Sequence, residues 1–267
     1  MNTPREPIRS AQNRQIQQLR KWLAHPAGLR KDGVFLADGY HLVSEALVKD
    51  YPIENLFVET DRNHPELEEL LSIAEERAAP VTWVSSRIFR SISPVESPQG
   101  VLGVFRRKAA SLVPPEGNVV VADGIQDPRN LGSICRSARA AGAAGLWVLP
   151  GTVDAFHPQT LRSAMGATFD WPVQMVPNLS DEPPVPSNRT WIALSNHGTE
   201  ELTGLDPNKD YALVLGAEGG GLRDETIHHI DRQIRIPMSR DVESLGVAAA
   251  AAVALFWLQF RRAEANP

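Results

Sequence analysis

Apolar residues recur along the chain with two different periods, and each change of period marks an element. Residues 34–37 (Val-Phe-Leu-Ala) are an unbroken apolar run, which predicts a short strand. Over 41–49 the spacing turns helical, with Leu42, Ala46 and Leu47 on one side. The same reading predicts a strand over 53–58, a helix over 66–77, a strand over 81–84 and a closing strand over 101–105. Residues 109–117, AASLVPPEG, place two prolines and a glycine between apolar segments and read as a linker. Beyond them, 119–122 (Val-Val-Val-Ala) is apolar at every position, as in a strand covered on both faces. A helix over 131–141, a strand over 146–149 and a helix over 159–165 follow. Strands over 191–194 and 211–215, a helix over 222–230, a strand over 233–236 and a long helix over 244–260 complete the series. The polar, proline-rich stretch 177–188 reads as a surface loop. This alternation predicts an α/β fold with a mainly parallel sheet, helices on both sides, and a smaller α/β domain in front of it. The expected organisation is a first domain over 1–108, a linker over 109–117 and a second domain over 118–267.

Composition narrows the class. With 42% hydrophobic residues in 267, the chain can bury a substantial core, which excludes global disorder. Its longest apolar stretch, 245–260, is shorter than the ~20 residues of a membrane span and rich in alanine, so a buried helix is expected and no membrane partner. The single cysteine, Cys135, cannot form an internal disulfide and sits among apolar helix positions, which suits a small buried hydrophobe in a reducing cytoplasm. The Arg-rich N-terminus has the composition of a mitochondrial transit peptide, but residues 28–48 already read as folded, and the cytoplasm is the expected location. The net charge of −5 argues at first against a nucleic-acid partner. Residues 1–31, however, hold Arg5, Arg9, Arg14, Arg20, Lys21, Arg30 and Lys31 against Glu6 alone, a local +6 that leaves −11 for the rest. Local patches decide phosphate binding; charge alone leaves open whether this segment is such a patch or a solvated arm.

In open parallel sheets ligands gather beyond the carboxyl ends of the strands, and three loops there carry unusual residues. The first, 123–143, reads DGIQDPRNLGSICRSARAAGA; Asn130 is a candidate helix N-cap, and Arg136 and Arg139, three apart, share a helix face. Taken by itself, a capped surface helix with two solvated arginines is the plainer account of it. The second, 216–225, reads GAEGGGLRDE, with four glycines that permit close backbone approach or positive φ, and Glu218 as a candidate site carboxylate. No Gly-Lys-Ser/Thr follows, so it is not a P-loop, and Asp224 stands where a dinucleotide fingerprint needs its third glycine. A flexible turn is the plain alternative. The third, 237–252, reads PMSRDVESLGVAAAAA; Ser244 can cap the last helix, and its alanines admit another backbone very close. No metal site is expected, because the adjacent His228 and His229 point about 100° apart on a helix and His157 and His197 are isolated.

Together these loops resemble the three signature motifs of the SpoU, or TrmH-like, branch of the SPOUT methyltransferases. The matching residues are D-P-x-N-L-G-x-x-x-R-S-A over 127–138, L-V-L-G-x-E-G-x-G-L over 213–222, and I-P-M over 236–238 followed by S-L-x-V over 244–247. L-R-S-A-M-G-A over 161–167 adds a further family-like stretch, and the resemblance spans about 118–262. Residues 30–107 are similar, more loosely, to the L30e-like substrate-binding domain, through 33–39 and Pro98-Gln99-Gly100-Val101.

The resemblance implies a C-terminal trefoil knot that forms an S-adenosylmethionine pocket, a homodimer that completes it, and 2′-O-methylation of RNA, ribosomal RNA favoured over tRNA. By matched position it implies that Leu215, Gly216, Glu218, Gly219, Ile236, Met238 and Leu245 hold the cofactor, largely through backbone atoms. Asn130, Arg136 and Glu218 would be catalytic, with Arg129, Arg139 and Arg162 close to the RNA. Because a sulfonium methyl is already electrophilic, the enzyme's work is to align and activate a ribose hydroxyl. The family reading makes Arg136 the group that does so, even as a base. A free guanidinium keeps its proton at neutral pH, which favours Arg136 as electrostatic stabiliser of the developing alkoxide, though the sequence does not choose between the two. One position departs from the family pattern: Gly246 stands where Ser-Leu-Asn-Val has its asparagine, and Ala248 replaces a frequent serine. That departure is the feature favouring the alternative, a catalytically inactive RNA-binding protein of the same fold.

Overall fold

The computed structural model describes residues 6–60, 62–109, 111–177, 179, 188–196, 198–239 and 244–265. Arg5 of the basic segment, Ala110 of the expected linker, most of the proline-rich loop, His197 and residues 240–243 of the third loop lie outside the described residues. The chain forms two compact units: Met1–Ala109 with Phe156–Phe169, and Ala110–Ala155 with Asp170–Pro267.

The first unit runs α1 (Arg14–Ala24), α2 (Ala27–Lys31), β1 (Val34–Asp38), α3 (Tyr40–Val48), β2 (Ile53–Glu59), α4 (Leu67–Glu76), β3 (Val81–Val84), α5 (Ser86–Ile92) and β4 (Val101–Arg106). Its sheet has the order β1-β4-β2-β3, with β4 antiparallel to both neighbours and β2 parallel to β3. The two-residue period of a strand sorts its side chains to opposite faces. Phe35, Ala37, Leu56, Val58, Val101 and Phe105 join one core with α3 and α4. Val34, Leu36, Phe57, Leu102 and Val104 join another with α1, α2 and α5. Both faces are covered, which is why 34–37 reads as an unbroken apolar run.

The sequence reading missed α1, α2 and α5. The first of these, treated as a basic arm, is an amphipathic helix that buries Ile16, Leu19 and Trp22, and its N-cap Asn13 accepts the Gln15 N–H at 2.9 Å.

The remaining elements are β5 (Val119–Ala122), α6 (Pro128–Ala140), β6 (Gly145–Val148), α7 (Pro158–Ala164), β7 (Val173–Met175), β8 (Thr190–Leu194), β9 (Glu200–Glu201), β10 (Tyr211–Leu215), α8 (Asp224–Ile227), β11 (Arg232–Arg235) and α9 (Val247–Ala265). Helix α7 belongs to the first unit, a difference from the expected second domain over 118–267. Leu161 and Phe169 are fully buried in the Phe35 core, and Phe169 and Phe156 lie 5.5 and 5.3 Å from the Phe35 ring. Burial of each such side chain stabilises by roughly 1.5–3 kcal/mol, a tertiary gain that periodicity cannot reveal. The other elements build a second sheet of order β7-β6-β5-β10-β8-β11-β9, parallel throughout. One face buries Val119, Val121, Trp147, Trp191, Ala212 and Val214. Helices α6 and α9 pack on each other, α6 against β6 and α9 against β10.

Half of the expected linker is anchored within the second unit. Val113 is buried, and the Arg189 guanidinium donates to the carbonyls of Pro114, Glu116 and Gly117 at 2.6–2.8 Å. Helix α8 is shorter than the expected 222–230, and α9 begins at Val247, so Ser244 lies three residues before it. Among the described residues no helix is long and apolar enough to cross a membrane.

Candidate active site

The site lies in the second unit, where β10, β8 and β11 run side by side and end together. Parallel strands with short exits leave a crevice beyond their carboxyl ends. A cavity of about 790 Å³ fills it, within the range of roughly 300–1,000 Å³ that suits a small-molecule ligand. All seven residues expected to hold the cofactor line it: Leu215, Gly216, Glu218, Gly219, Ile236, Met238 and Leu245. The sequence reading missed one wall, Ala193–Asn196 at the end of β8. The strand itself was predicted, but its exit carries no unusual residues.

Glycine shapes the cavity in two ways. At Gly216 an added Cβ would lie 2.5 Å from the carbonyl carbon of Gly221 and 2.9 Å from the Leu222 nitrogen, so the chain folds back on the strand end because this residue is a glycine. Ala217 and Gly221 then exchange two backbone hydrogen bonds of 2.9 and 3.0 Å, leaving Glu218, Gly219 and Gly220 as an exposed turn. At Gly219 (φ +82°) and at Gly246 an added Cβ would meet nothing within 4 Å, so both positions leave open space where they line the cavity. Leu215, Leu222, Ile227, Ile230, Ile236 and Leu245 supply an apolar wall, and Ser195, Asn196, Glu218, Gln233 and Ser244 supply polar groups. This cradle of free backbone beside an apolar wall fits a nucleoside cofactor that is read by main-chain atoms.

The first loop enters at the edge of the site. Asp127, not Asn130, caps α6: its carboxylate accepts the Arg129 N–H at 2.8 Å, and Pro128 occupies the first turn. Asn130 instead reaches across 88 positions and donates from Nδ2 to Glu218 Oε1 at 2.8 Å, joining two of the three catalytic candidates. Arg136 is exposed on α6, and Arg139 is partly buried. Arg129 is paired with Asp127 at 2.9 Å, and its hydrogen bonds hold the Asp127 carboxyl below its ordinary range. Arg162 lies on α7 in the first unit, where its charge and the Ser93 hydroxyl partly offset the burial that pushes Asp38 up to about 6. Cys135 is fully buried, its thiol pushed up to about 12 by desolvation, and therefore unreactive. Among the described residues no group of three or more His, Cys, Asp or Glu could hold a metal ion.

Residues 117–256, just over half of the chain, match the SpoU rRNA methylase family. The chain belongs to that family. Residues 13–103 match the MRM3-like substrate binding domain. A relative from Bacillus subtilis (strain 168), 23S rRNA (guanosine(2553)-2′-O)-methyltransferase RlmP, is 30% identical over 254 residues, covering 94% of this chain and 98% of its own. Two methyltransferase crystal structures share the fold. The AdoMet-bound rRNA methyltransferase from Sinorhizobium meliloti matches with a TM-score of 0.82 at 27% identity, covering 96% of this chain and 97% of its own. The SpoU methyltransferase AviRb from Streptomyces viridochromogenes, in complex with AdoMet, also matches at 0.82, with 25% identity and coverage of 94% and 99%.

Proposed function

We propose that this SpoU family member methylates a ribose 2′-hydroxyl of ribosomal RNA with S-adenosylmethionine, acting in the cytoplasm as a homodimer. One observation carries the reading: the seven motif residues expected at the cofactor line a single cavity, and Asn130 is bonded to Glu218 at its rim. The names of the relatives support it, a 23S rRNA 2′-O-methyltransferase covering nearly the whole chain and two AdoMet-bound methyltransferase structures.

The division of labour follows from the residues. Backbone groups of Leu215, Gly216, Gly219 and Ile236 hold the cofactor, while Leu222, Leu245 and the side chain of Ile236 exclude water around it. Bound there, the cofactor supplies an electrophilic methyl group. Glu218 fixes the Asn130 amide by accepting from its Nδ2, which leaves the amide oxygen to accept a hydrogen bond from the ribose hydroxyl. Arg136, an exposed cation on the same helix, α6, stabilises the charge that grows on that oxygen as its proton passes to solvent, and anchors an adjacent phosphate. Arg139 and Arg162 contribute further positive charge toward the RNA; Arg129, held by Asp127, contributes least.

Incubation of the protein with methyl-labelled S-adenosylmethionine and ribosomal RNA tests the reading. Label in dinucleotides that resist alkaline hydrolysis is the expected result, because a methylated 2′-oxygen cannot attack the next phosphate. RNA binding without transfer would instead identify an inactive protein of this fold and refute the proposal.

A further inference from the structure

Asp123 stands at the end of β5, next to β10, and its carboxylate is completely buried. Its backbone N–H donates to the Leu215 carbonyl at 2.9 Å. Its Oδ2 accepts the backbone N–H of Arg223 at 2.9 Å, and its Oδ1 pairs with Nε of the same arginine, whose side chain is one-third exposed. Leu215 and Arg223 flank the glycine-rich segment 216–222, so one residue holds both ends of the loop that lines the cavity. Within that segment Gly216 lies against the Gly221–Leu222 backbone, and Ala217 is bonded to Gly221. The loop is therefore closed twice, once by its own backbone and once by Asp123 at its root.

A buried carboxylate is costly unless its oxygens are matched by donors. Among the described residues both oxygens are matched by Arg223, one through the main chain and one through the side chain, so the charge is stabilised while the loop exits in this geometry. Neutralising Asp123 weakens two bonds to Arg223 together and frees the distal end of the segment. The bond from the Asp123 N–H to Leu215 remains, because it is backbone to backbone.

We infer that Asp123 is a positioning residue for the cofactor: through Arg223 it fixes the shape of the 216–222 loop and so sets the affinity for S-adenosylmethionine. This role rests on the cofactor reading given above. Asp123 does not line the cavity itself, so its effect must pass through the loop.

Full-length protein, Asp123→Asn, Arg223→Ala and the double variant are titrated calorimetrically with S-adenosylmethionine, and their kinetics are measured with cofactor and RNA varied separately. Asp123→Asn is expected to raise Kd and KM for the cofactor about tenfold or more. RNA affinity should stay at the wild-type value, and kcat at saturating cofactor should change far less than kcat/KM. Arg223→Ala should show a smaller rise, since its backbone N–H still reaches Asp123. The double variant should be no worse than Asp123→Asn, because the two residues act as one clasp. A folded Asp123→Asn protein with wild-type Kd overturns the inference, even if its Tm has fallen, since a merely structural role would move Tm alone. Should Asp123→Asn fail to fold, unchanged cofactor affinity in Arg223→Ala overturns it equally. Wild-type protein with no affinity for S-adenosylmethionine overturns the cofactor reading and this inference with it.

Discussion

Arg136 and Gly219 test two different parts of the site. Arg136 is exposed on α6 and does not line the cavity, so its loss should leave fold and cofactor pocket intact. Removing one preorganised donor to a developing oxyanion costs about 10²–10³ in kcat. Arg136→Ala should lose turnover on that scale with unchanged Tm and unchanged calorimetric affinity for S-adenosylmethionine; near-normal turnover would show that this arginine does not act on the reacting oxygen. Gly219 sits at φ +82° with open space where a Cβ would stand. A valine there meets left-handed backbone strain of about 1–2 kcal/mol and projects a branched side chain at the cofactor. Gly219→Val should therefore abolish measurable cofactor binding while lowering Tm only slightly, and wild-type affinity would reduce the loop to an ordinary turn. The seven motif residues that line the cavity were legible in the sequence because they fall in short motifs with fixed local spacing. Asp123 was not, because its partner Arg223 is 100 positions away and a lone aspartate at a strand end carries no local signal. Asn130 was legible as a residue of the site but misread as a cap, since both roles favour the same side chain in the same place.

Strands and helices with one clear period were readable to within about three residues at most of their ends, β5 and β10 among them. Short β7 and β9 were missed because two or three residues show no period. Helix α9 was readable as apolar on too many sides for a surface helix, and the structure shows where that surface goes. Ala251, Ala254, Leu255 and Leu258 are buried, while Val253 (44% exposed) and Phe260 (62%) remain open with the Phe256 ring 5.9 Å from Phe260. An apolar stripe on a surface helix calls for a partner, and a second copy of this chain is the occupant proposed. Sedimentation at micromolar concentration should give a dimer for the wild-type protein and a monomer for Val253→Asp/Phe260→Asp. A wild-type monomer would refute the assembly.

At the scale of the whole molecule, the division into a first and a second α/β unit follows from the change of pattern near residue 110, but the assignment of 156–169 to the first unit does not. That return is written in tertiary burial: Leu161 and Phe169 are 0% exposed in a core that includes residues from Phe35 to Val58, more than a hundred positions earlier. Charge behaves in the same way. Five of the basic residues read along the N-terminus are carried on helices: Arg14, Arg20 and Lys21 on α1 and Arg30 and Lys31 on α2, all but Arg20 exposed. Exposed Arg87 and Arg90 lie on α5, which packs against α1, and Arg20 is tied to Ser91 of α5 at 3.2 Å. Arg106, Arg107 and Lys108 do not extend this patch as free charges: Arg106 pairs with Glu54, Arg107 lies over Phe156 and Lys108 over Tyr51. A chain of net charge −5 thus concentrates exposed cations on α1, α2 and α5, helices that pack with one another in the unit that matches a substrate-binding domain.

The measurement that bears most directly on this account is a map of ribose 2′-O-methylation in ribosomal RNA from cells lacking the protein, with complementation by the wild type and by Arg136→Ala. One methylated ribose should be missing from the large or small subunit RNA, return with the wild-type protein and stay missing with Arg136→Ala. A ribosomal RNA methylation pattern identical with and without the protein would contradict the account.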